Sequence, residues 1–206
     1  MNLDHILQRR SDLWRGSGRP LPVQAGVGSG YPALDDALGG RGWPRGAVTE
    51  IIGRDRASVA AASLLLPGLA NLSRDEGWIA LVAPPFLPYA PGLAGWGVNL
   101  SRLLVVSPDG ETEQLWALEQ LLRSGCCTAA LAWPRRVAPA MLRRLQLAAE
   151  SGRGCGFLFR RDAVAGGASN AALRLRVSPL ENGFRVDVLK RRGGWPVKGL
   201  ILPGTW

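Results

Sequence analysis

The 206-residue sequence contains little lysine, histidine or cysteine. Lys190 and Lys198 are its two lysines, so no residue before position 190 can supply an ammonium group. Because His5 is the single histidine, a Ser-His-Asp triad or a histidine-based zinc site elsewhere in the chain is excluded. The three cysteines lack metal-binding spacing, and the adjacent pair Cys126 and Cys127 favours buried thiols in a reducing compartment. We predict no metal site.

Long apolar segments without helix breakers are also missing. The longest uncharged stretch, residues 77–101, contains four prolines, whereas a membrane-spanning helix needs about 20 apolar residues free of such breakers. We interpret this stretch as a strand followed by a loop. Acidic residues and arginines interrupt residues 1–16, where a signal peptide needs an apolar core. The sequence therefore predicts a cytoplasmic protein without a membrane partner.

Apolar runs alternate with helical patterns through the middle of the chain. The predicted strands are 47–52, 78–83, 103–107, 128–133 and 155–159, and the predicted helices are 32–38, 59–72, 112–124 and 137–150. Continuous apolar strands that alternate with helices are typical of a parallel sheet covered on both faces. Shorter alternating strands follow at 173–177, 184–189 and 197–202, and Asn182-Gly183 predicts a hairpin between the first two. We predict an α/β fold with a mostly parallel central sheet flanked by helices and C-terminal antiparallel strands.

The start of the chain differs in composition from the rest. Residues 1–15 have the apolar spacing of a short amphipathic helix, and residues 16–30 are rich in glycine, proline and serine, as a linker is. We therefore predict an N-terminal helix at 1–15, a linker at 16–30 and one α/β domain at 31–206.

The net charge of +9 is concentrated in the last third of the chain. Residues 1–133 contain 11 basic and 12 acidic side chains, whereas residues 134–206 contain 14 basic and 4 acidic ones. Such an asymmetry is typical of a protein with an anionic partner, nucleic acid first, although arginines also decorate solvated faces. The candidate residues for binding DNA or a partner protein are Arg135, Arg136, Arg143, Arg144, Arg160, Arg161, Lys190, Arg191, Arg192, Trp195 and Trp206.

The predicted strand at 47–52, a loop at Gly53 and an apolar helix have the order of a nucleotide-binding site. A phosphate loop reads G-x-x-x-x-G-K-[ST], because glycine amides and a lysine hold phosphate and a hydroxyl holds magnesium. Here the second glycine, the lysine and the hydroxyl are replaced by Ser58, Val59 and Ala60. Gly53, Arg54, Arg56 and Ser58 mark this degenerate loop.

Two further positions also lack the acids that an NTPase needs. The predicted strand at 128–133 ends in Ala132-Trp133, where an NTPase has a carboxylate for magnesium. After the predicted strand at 78–83, Pro84-Pro85-Phe86 occupies the place of a water-activating carboxylate. We therefore predict no catalytic residues, no cofactor and no enzymatic activity.

The segment 28–53 carries a family resemblance. Residues 28–38 read GSGYPALDDAL and residues 39–53 read GGRGWPRGAVTEIIG, which resembles the start of the RecA core. The resemblance continues through 93–109, 113–125 and the C-terminal strands, over roughly residues 25–202. The GWPRGAVTE version, the N-terminal LWRG and the degenerate loop are most similar to the ImuA family, RecA-related and SulA-like accessory proteins of bacterial damage-induced mutagenesis.

The resemblance implies a non-catalytic RecA-like adaptor in SOS-induced translesion DNA synthesis. It implies an ImuB-type polymerase-like protein and a DnaE-type error-prone polymerase as partners, with RecA and DNA as further contacts. Two alternatives stay open. One is a SulA-type inhibitor of cell division that binds a tubulin-like division protein and needs no DNA affinity. The other is a divergent RecA-like ATPase, which magnesium-dependent hydrolysis would reveal.

Overall fold

The computed structural model describes residues 26–53, 61–161 and 167–204. The predicted N-terminal helix, residues 16–25 of the predicted linker, and Arg54, Arg56, Ser58 and Trp206 lie outside the described residues. Residues 26–30, which we assigned to the linker, include a strand, Gly26–Val27 (β1). It pairs antiparallel with Trp43–Pro44 (β2), just before the first long strand.

Eight further strands form one sheet. They are Ala47–Gly53 (β3), Trp78–Val82 (β4), Leu103–Val106 (β5), Cys127–Ala132 (β6), Cys155–Arg161 (β7), Leu173–Leu180 (β8), Gly183–Arg191 (β9) and Val197–Pro203 (β10). Their order across the sheet is β10-β9-β8-β3-β7-β6-β4-β5. All pairs from β8 to β5 are parallel, and β8-β9 and β9-β10 are antiparallel. The predicted mostly parallel sheet with an antiparallel C-terminal extension is confirmed.

Five α-helices have both ends within the described residues, and residues 61–63 are helical as well. The five helices are Pro32–Ala37 (α1), Leu66–Leu72 (α2), Ala90–Gly95 (α3), Glu111–Arg123 (α4) and Pro139–Gly152 (α5). The predictions for α1, α4 and α5 are confirmed to within about two residues. We predicted a loop where α3 lies, and this was wrong because Pro91 occupies its first turn, where a helix does not need the missing N–H. No described helix is long and apolar enough to span a membrane.

The sheet buries a separate apolar core against each face. Ile51 and Phe157 belong to the core shared with α1 and α2, whereas Val48 and Leu158 belong to the core under α4 and α5. This alternation is what a parallel sheet covered on both sides requires. In the antiparallel extension, one face of each strand joins the first core, and the opposite face contains exposed side chains such as Arg185 and Ile201.

The tryptophans and cysteines divide between core and surface. Trp43 is buried and meets Phe157 edge to face with ring centroids 5.5 Å apart. Trp116, which we expected to be buried because it lies in a helix, is 59% exposed, while Trp195 is exposed as predicted. Cys127 is buried, but our expectation for Cys126 was wrong, because this residue lies in the exposed turn before β6.

Candidate functional site

The carboxyl ends of the central parallel strands carry a glycine, arginines and an aromatic pair. Gly53 ends β3 and pairs with Arg161 of β7. Directly after β6, Trp133 stacks on Phe159 with a centroid distance of 4.6 Å and an interplanar angle of 3°. An aromatic pair therefore lies next to the position where an NTPase of this topology would carry its magnesium-binding carboxylate. Within the described residues, no three His, Cys, Asp or Glu side chains are grouped to hold a metal ion.

The loop after β4 at the same end of the sheet exposes three large apolar side chains. Phe86, Leu87 and Tyr89 are 68%, 92% and 73% exposed. Prolines flank them at positions 84, 85, 88 and 91, and each proline fixes a backbone φ angle. The sequence signal was the PPFLPY run, whose prolines we had used to argue against a membrane-spanning helix and whose start we had used to argue against a catalytic acid.

Glu50 is a buried acid that we did not predict. It lies in the middle of β3, is 2% exposed, and accepts hydrogen bonds from Arg160 Nη1 at 3.3 Å and Arg174 Nε at 2.7 Å. The Ser169 hydroxyl donates to the same carboxylate at 2.7 Å. An acidic residue inside the apolar run AVTEIIG was the available signal, because a buried charge needs a partner.

This cluster changes the interpretation of Arg160. Its side chain is 6% exposed, and its ion pair with Glu50 joins β7 to β3. Burial lowers the pKa of Arg160, while the Glu50 carboxylate acts in the opposite direction. Arg160 therefore does not lie on the exposed surface that we predicted for DNA or a partner. Its neighbour Arg161 faces the opposite side of the sheet, is the last residue of β7, and is exposed.

The other candidate arginines are mostly exposed, and two of them are paired with acids. Arg135, Arg136 and Arg143 are exposed. Arg144 and Arg192 form ion pairs with Glu119 and Glu150, at 2.6 Å and 2.8 Å. Since Glu50 and Glu119 come from the first two thirds of the chain, the fold neutralises part of the C-terminal charge excess that the sequence shows.

The Lys190, Arg191 and Arg192 segment lies at the end of β9. Lys190 Nζ donates to the Ser169 carbonyl at 2.6 Å, and Arg191 Nε donates to the Trp195 carbonyl at 3.4 Å. Burial lowers the pKa of Lys190, and the charges of Arg174 and Arg192 lower it further while Glu50 opposes them. Trp195, 66% exposed, follows this segment in the turn that leads to β10.

Comparison with known proteins decides the family. The protein ImuA of Caulobacter vibrioides strain NA1000 is 30% identical to this chain, and the alignment covers 88% of the chain and 83% of that protein. This chain belongs to the ImuA family. The ImuA resemblance predicted from the residues is confirmed, although no protein-family model matches the chain.

The RecA relationship of this ImuA-family chain is visible as well. Over 102 residues it is 40% identical to the protein RecA of Chlorobaculum parvum strain DSM 263, a match that covers 48% of the chain and 28% of RecA. The crystal structure of SulA from Pseudomonas aeruginosa superposes with a TM-score of 0.47 and 23% identity, and covers 55% of this chain and 97% of SulA.

Proposed function

We propose that this ImuA-family chain is a non-catalytic adaptor of the damage-induced mutagenesis complex in the cytoplasm. Its proposed partners are an ImuB-type polymerase-like protein and a DnaE-type error-prone polymerase, with RecA and DNA as further contacts. The proposal rests on the carboxyl ends of the parallel strands, where an NTPase of this topology would bind its nucleotide. There, Trp133 stacks on Phe159 after β6, and the loop after β4 presents exposed apolar side chains.

The proposal that the chain is not an enzyme is supported by its sequence, which lacks the residues that phosphoryl transfer would need at this place. Phosphoryl transfer depends on positioning and on charge stabilisation by a lysine and magnesium. The lysine position of the phosphate loop is Val59, and the strand that would supply the magnesium ligand ends in Ala132-Trp133. Glu50, the buried acid of β3, is already paired with Arg160 and Arg174.

A protein-docking role is supported by Phe86, Leu87 and Tyr89. Clustered exposed apolar side chains on a protein surface are typical of interaction sites, and aromatic residues are enriched in interface centres. The surrounding prolines restrict the loop, so that ordering it on binding costs less conformational entropy. We assign this loop, residues 84–89, as the surface that binds the polymerase-like partner.

A binding measurement with the purified full-length chain and an ImuB-type protein tests this assignment. The triple variant Phe86→Ser, Leu87→Ser, Tyr89→Ser should weaken binding by about tenfold or more, because interface aromatic residues are frequent hot spots. The matched control is Trp116→Ser, Leu147→Ser, Leu180→Ser, whose side chains are also exposed. Equal affinity of both variants would overturn the docking assignment.

Two further binding measurements distinguish this proposal from its alternatives. Calorimetry with magnesium and ATP should give no saturable binding at micromolar concentration, and saturable binding with hydrolysis would favour the divergent ATPase. Binding to a tubulin-like division protein, without binding to the polymerase-like partner, would favour the SulA-type inhibitor.

A further inference from the structure

We infer a binding site for a phosphate group in a small cavity at the amino end of β8. Three arginines line the cavity, and they come from two distant parts of the chain. Arg41 lies in the glycine-rich segment before β2, whereas Arg191 and Arg192 lie at the end of β9. Its remaining lining is apolar or glycine and contains no acidic residue. The site lies at the end of the sheet opposite to the loop at 84–89, and the inference does not depend on the proposed adaptor role.

The size of the cavity fits a small ligand group. Its volume is about 70 Å³. Pockets for drug-sized molecules measure about 300 Å³ or more, whereas one water occupies about 30 Å³ of liquid. The cavity is therefore large enough for a small group such as a tetrahedral oxyanion, and the remainder of a larger ligand would lie outside it.

Arg191 supplies a positive charge that the fold does not neutralise. Its Nε donates to the Trp195 carbonyl, which leaves most of its five N–H donors for another acceptor. Within the described ranges, neither Arg191 nor Arg41 forms an ion pair with an acid. Burial lowers the pKa of Arg191, and a bound anion would reverse this effect.

The backbone holds Arg41 in place. Gly42 has a φ of +67°, and a Cβ there would lie 2.1 Å from the Val27 carbonyl oxygen. A Cβ on Gly26 would lie 1.9 Å from the carbonyl oxygen of Arg41 itself. The turn that contains Arg41 is therefore packed against β1. This close approach fixes the Arg41 backbone beside the cavity before any ligand binds.

Arg192 also lines the cavity, although its guanidinium is paired with an acid. Its Nη2 pairs with Glu150 Oε1 at 2.8 Å, and both side chains are about a third exposed. The planar guanidinium fork of arginine matches phosphate oxygens in a bidentate manner. The shared ligand chemistry is thus a phosphate group, which either a nucleic-acid backbone or a free phosphate compound can supply.

Binding of two probes to the full-length chain at low salt tests the site. The probes are inorganic phosphate, followed by calorimetry, and a fluorescein-labelled single-stranded oligothymidylate, followed by anisotropy. The double variant Arg41→Gln, Arg191→Gln should bind phosphate about tenfold more weakly, because each bond removed is charge-assisted. The matched control Arg74→Gln, Arg185→Gln removes the same charge from exposed positions outside the candidate binding residues and should leave phosphate affinity within about twofold.

The results with the two probes identify the source of the phosphate group. If the ligand is a nucleic-acid backbone, the double variant also weakens oligonucleotide binding, and its log–log salt slope becomes shallower by about 0.7 for each phosphate that the protein no longer neutralises. If the ligand is a free phosphate compound, only the binding of inorganic phosphate is weakened. Wild-type-like affinity of the double variant for both probes overturns the inference.

A single variant provides a control in case the double variant misfolds. Because Arg191 contacts the Trp195 carbonyl, its replacement can disturb the turn before β10, whereas Arg41 has an exposed side chain. Arg41→Gln alone should retain the wild-type circular dichroism spectrum and bind phosphate several-fold more weakly. If a folded Arg41→Gln chain binds both probes as the wild type does, the inference is equally overturned.

Discussion

The Glu50 carboxylate accepts a hydrogen bond of 2.7 Å from Nε of Arg174, although the two residues are 124 positions apart in the chain. Arg160 donates to the other oxygen of the same carboxylate at 3.3 Å. Three neighbouring strands, β8, β3 and β7, are therefore linked by one buried acid and two buried arginines. Glu50 is the member whose loss has the largest consequence, because it would leave two buried cations without their shared partner.

We predict that Glu50→Gln strongly destabilises the chain while changing its volume little. Removing one partner of a buried ion pair typically costs about 3–5 kcal/mol, because an uncompensated buried charge remains. Urea denaturation of wild type and variant measures the difference. Glu181→Gln is the control, since Glu181 is exposed in the β8-β9 turn and its replacement should change the free energy of unfolding by less than about 0.5 kcal/mol. Equal stability of the two variants would contradict the prediction.

The Glu50 cluster could not be predicted from the sequence, whereas most of the fold could. Continuous apolar strands and the 3.6-residue period of Leu115, Leu118 and Leu122 sufficed to predict the sheet, α4 and α5, because these signals are local. Charge counting could not distinguish Arg160 from Arg161. Their difference depends on which of the two side chains meets Glu50 of the neighbouring strand, and that is set by strand order across the whole sheet.

The phosphate cavity could not be predicted for a related reason. The GGRG segment and the Lys190-Arg191-Arg192 run were each visible in the sequence, but nothing local brings Arg41 beside Arg191. Their proximity arises because β8 pairs with β3 in parallel and β9 then returns antiparallel. The order of strands, which brings the end of β9 back to the start of β3, creates the site.

Thiol reactivity should separate the three cysteines. Burial raises the pKa of Cys127 to about 11 and that of Cys155 to about 12, whereas Cys126 is exposed. A thiol reagent at pH 8 should therefore modify one group per folded chain rapidly, and the other two only after unfolding. In the Cys126→Ser variant the rapid phase should disappear. A rapid phase of two or three thiols in the wild type would be inconsistent with this packing.

The same thiols give the chain a pH dependence at the alkaline end. Folding disfavours the thiolates of Cys127 and Cys155, so both contribute stability below the ordinary thiol pKa of about 8.5. This contribution should be lost progressively as the pH rises from about 8.5 towards the folded values of about 11 and about 12. Urea midpoints measured from pH 7 to pH 10 should fall less steeply for Cys155→Ala than for the wild type, because the variant retains only one of the two titrating groups.

Two neighbouring glycines should differ sharply in their tolerance of a side chain. Gly40 and Gly42 both have positive φ, +77° and +67°, but a Cβ on Gly40 would meet no atom within 4 Å. Gly40→Ala should therefore cost only the backbone strain of a left-handed residue, about 1–2 kcal/mol. Gly42→Ala should cost more, about 3 kcal/mol, because it must also push the Val27 carbonyl away and separate β1 from β2. Denaturant titration of the two variants side by side measures the difference, and a Gly42→Ala chain as stable as Gly40→Ala would show that β1 does not hold the Arg41 turn.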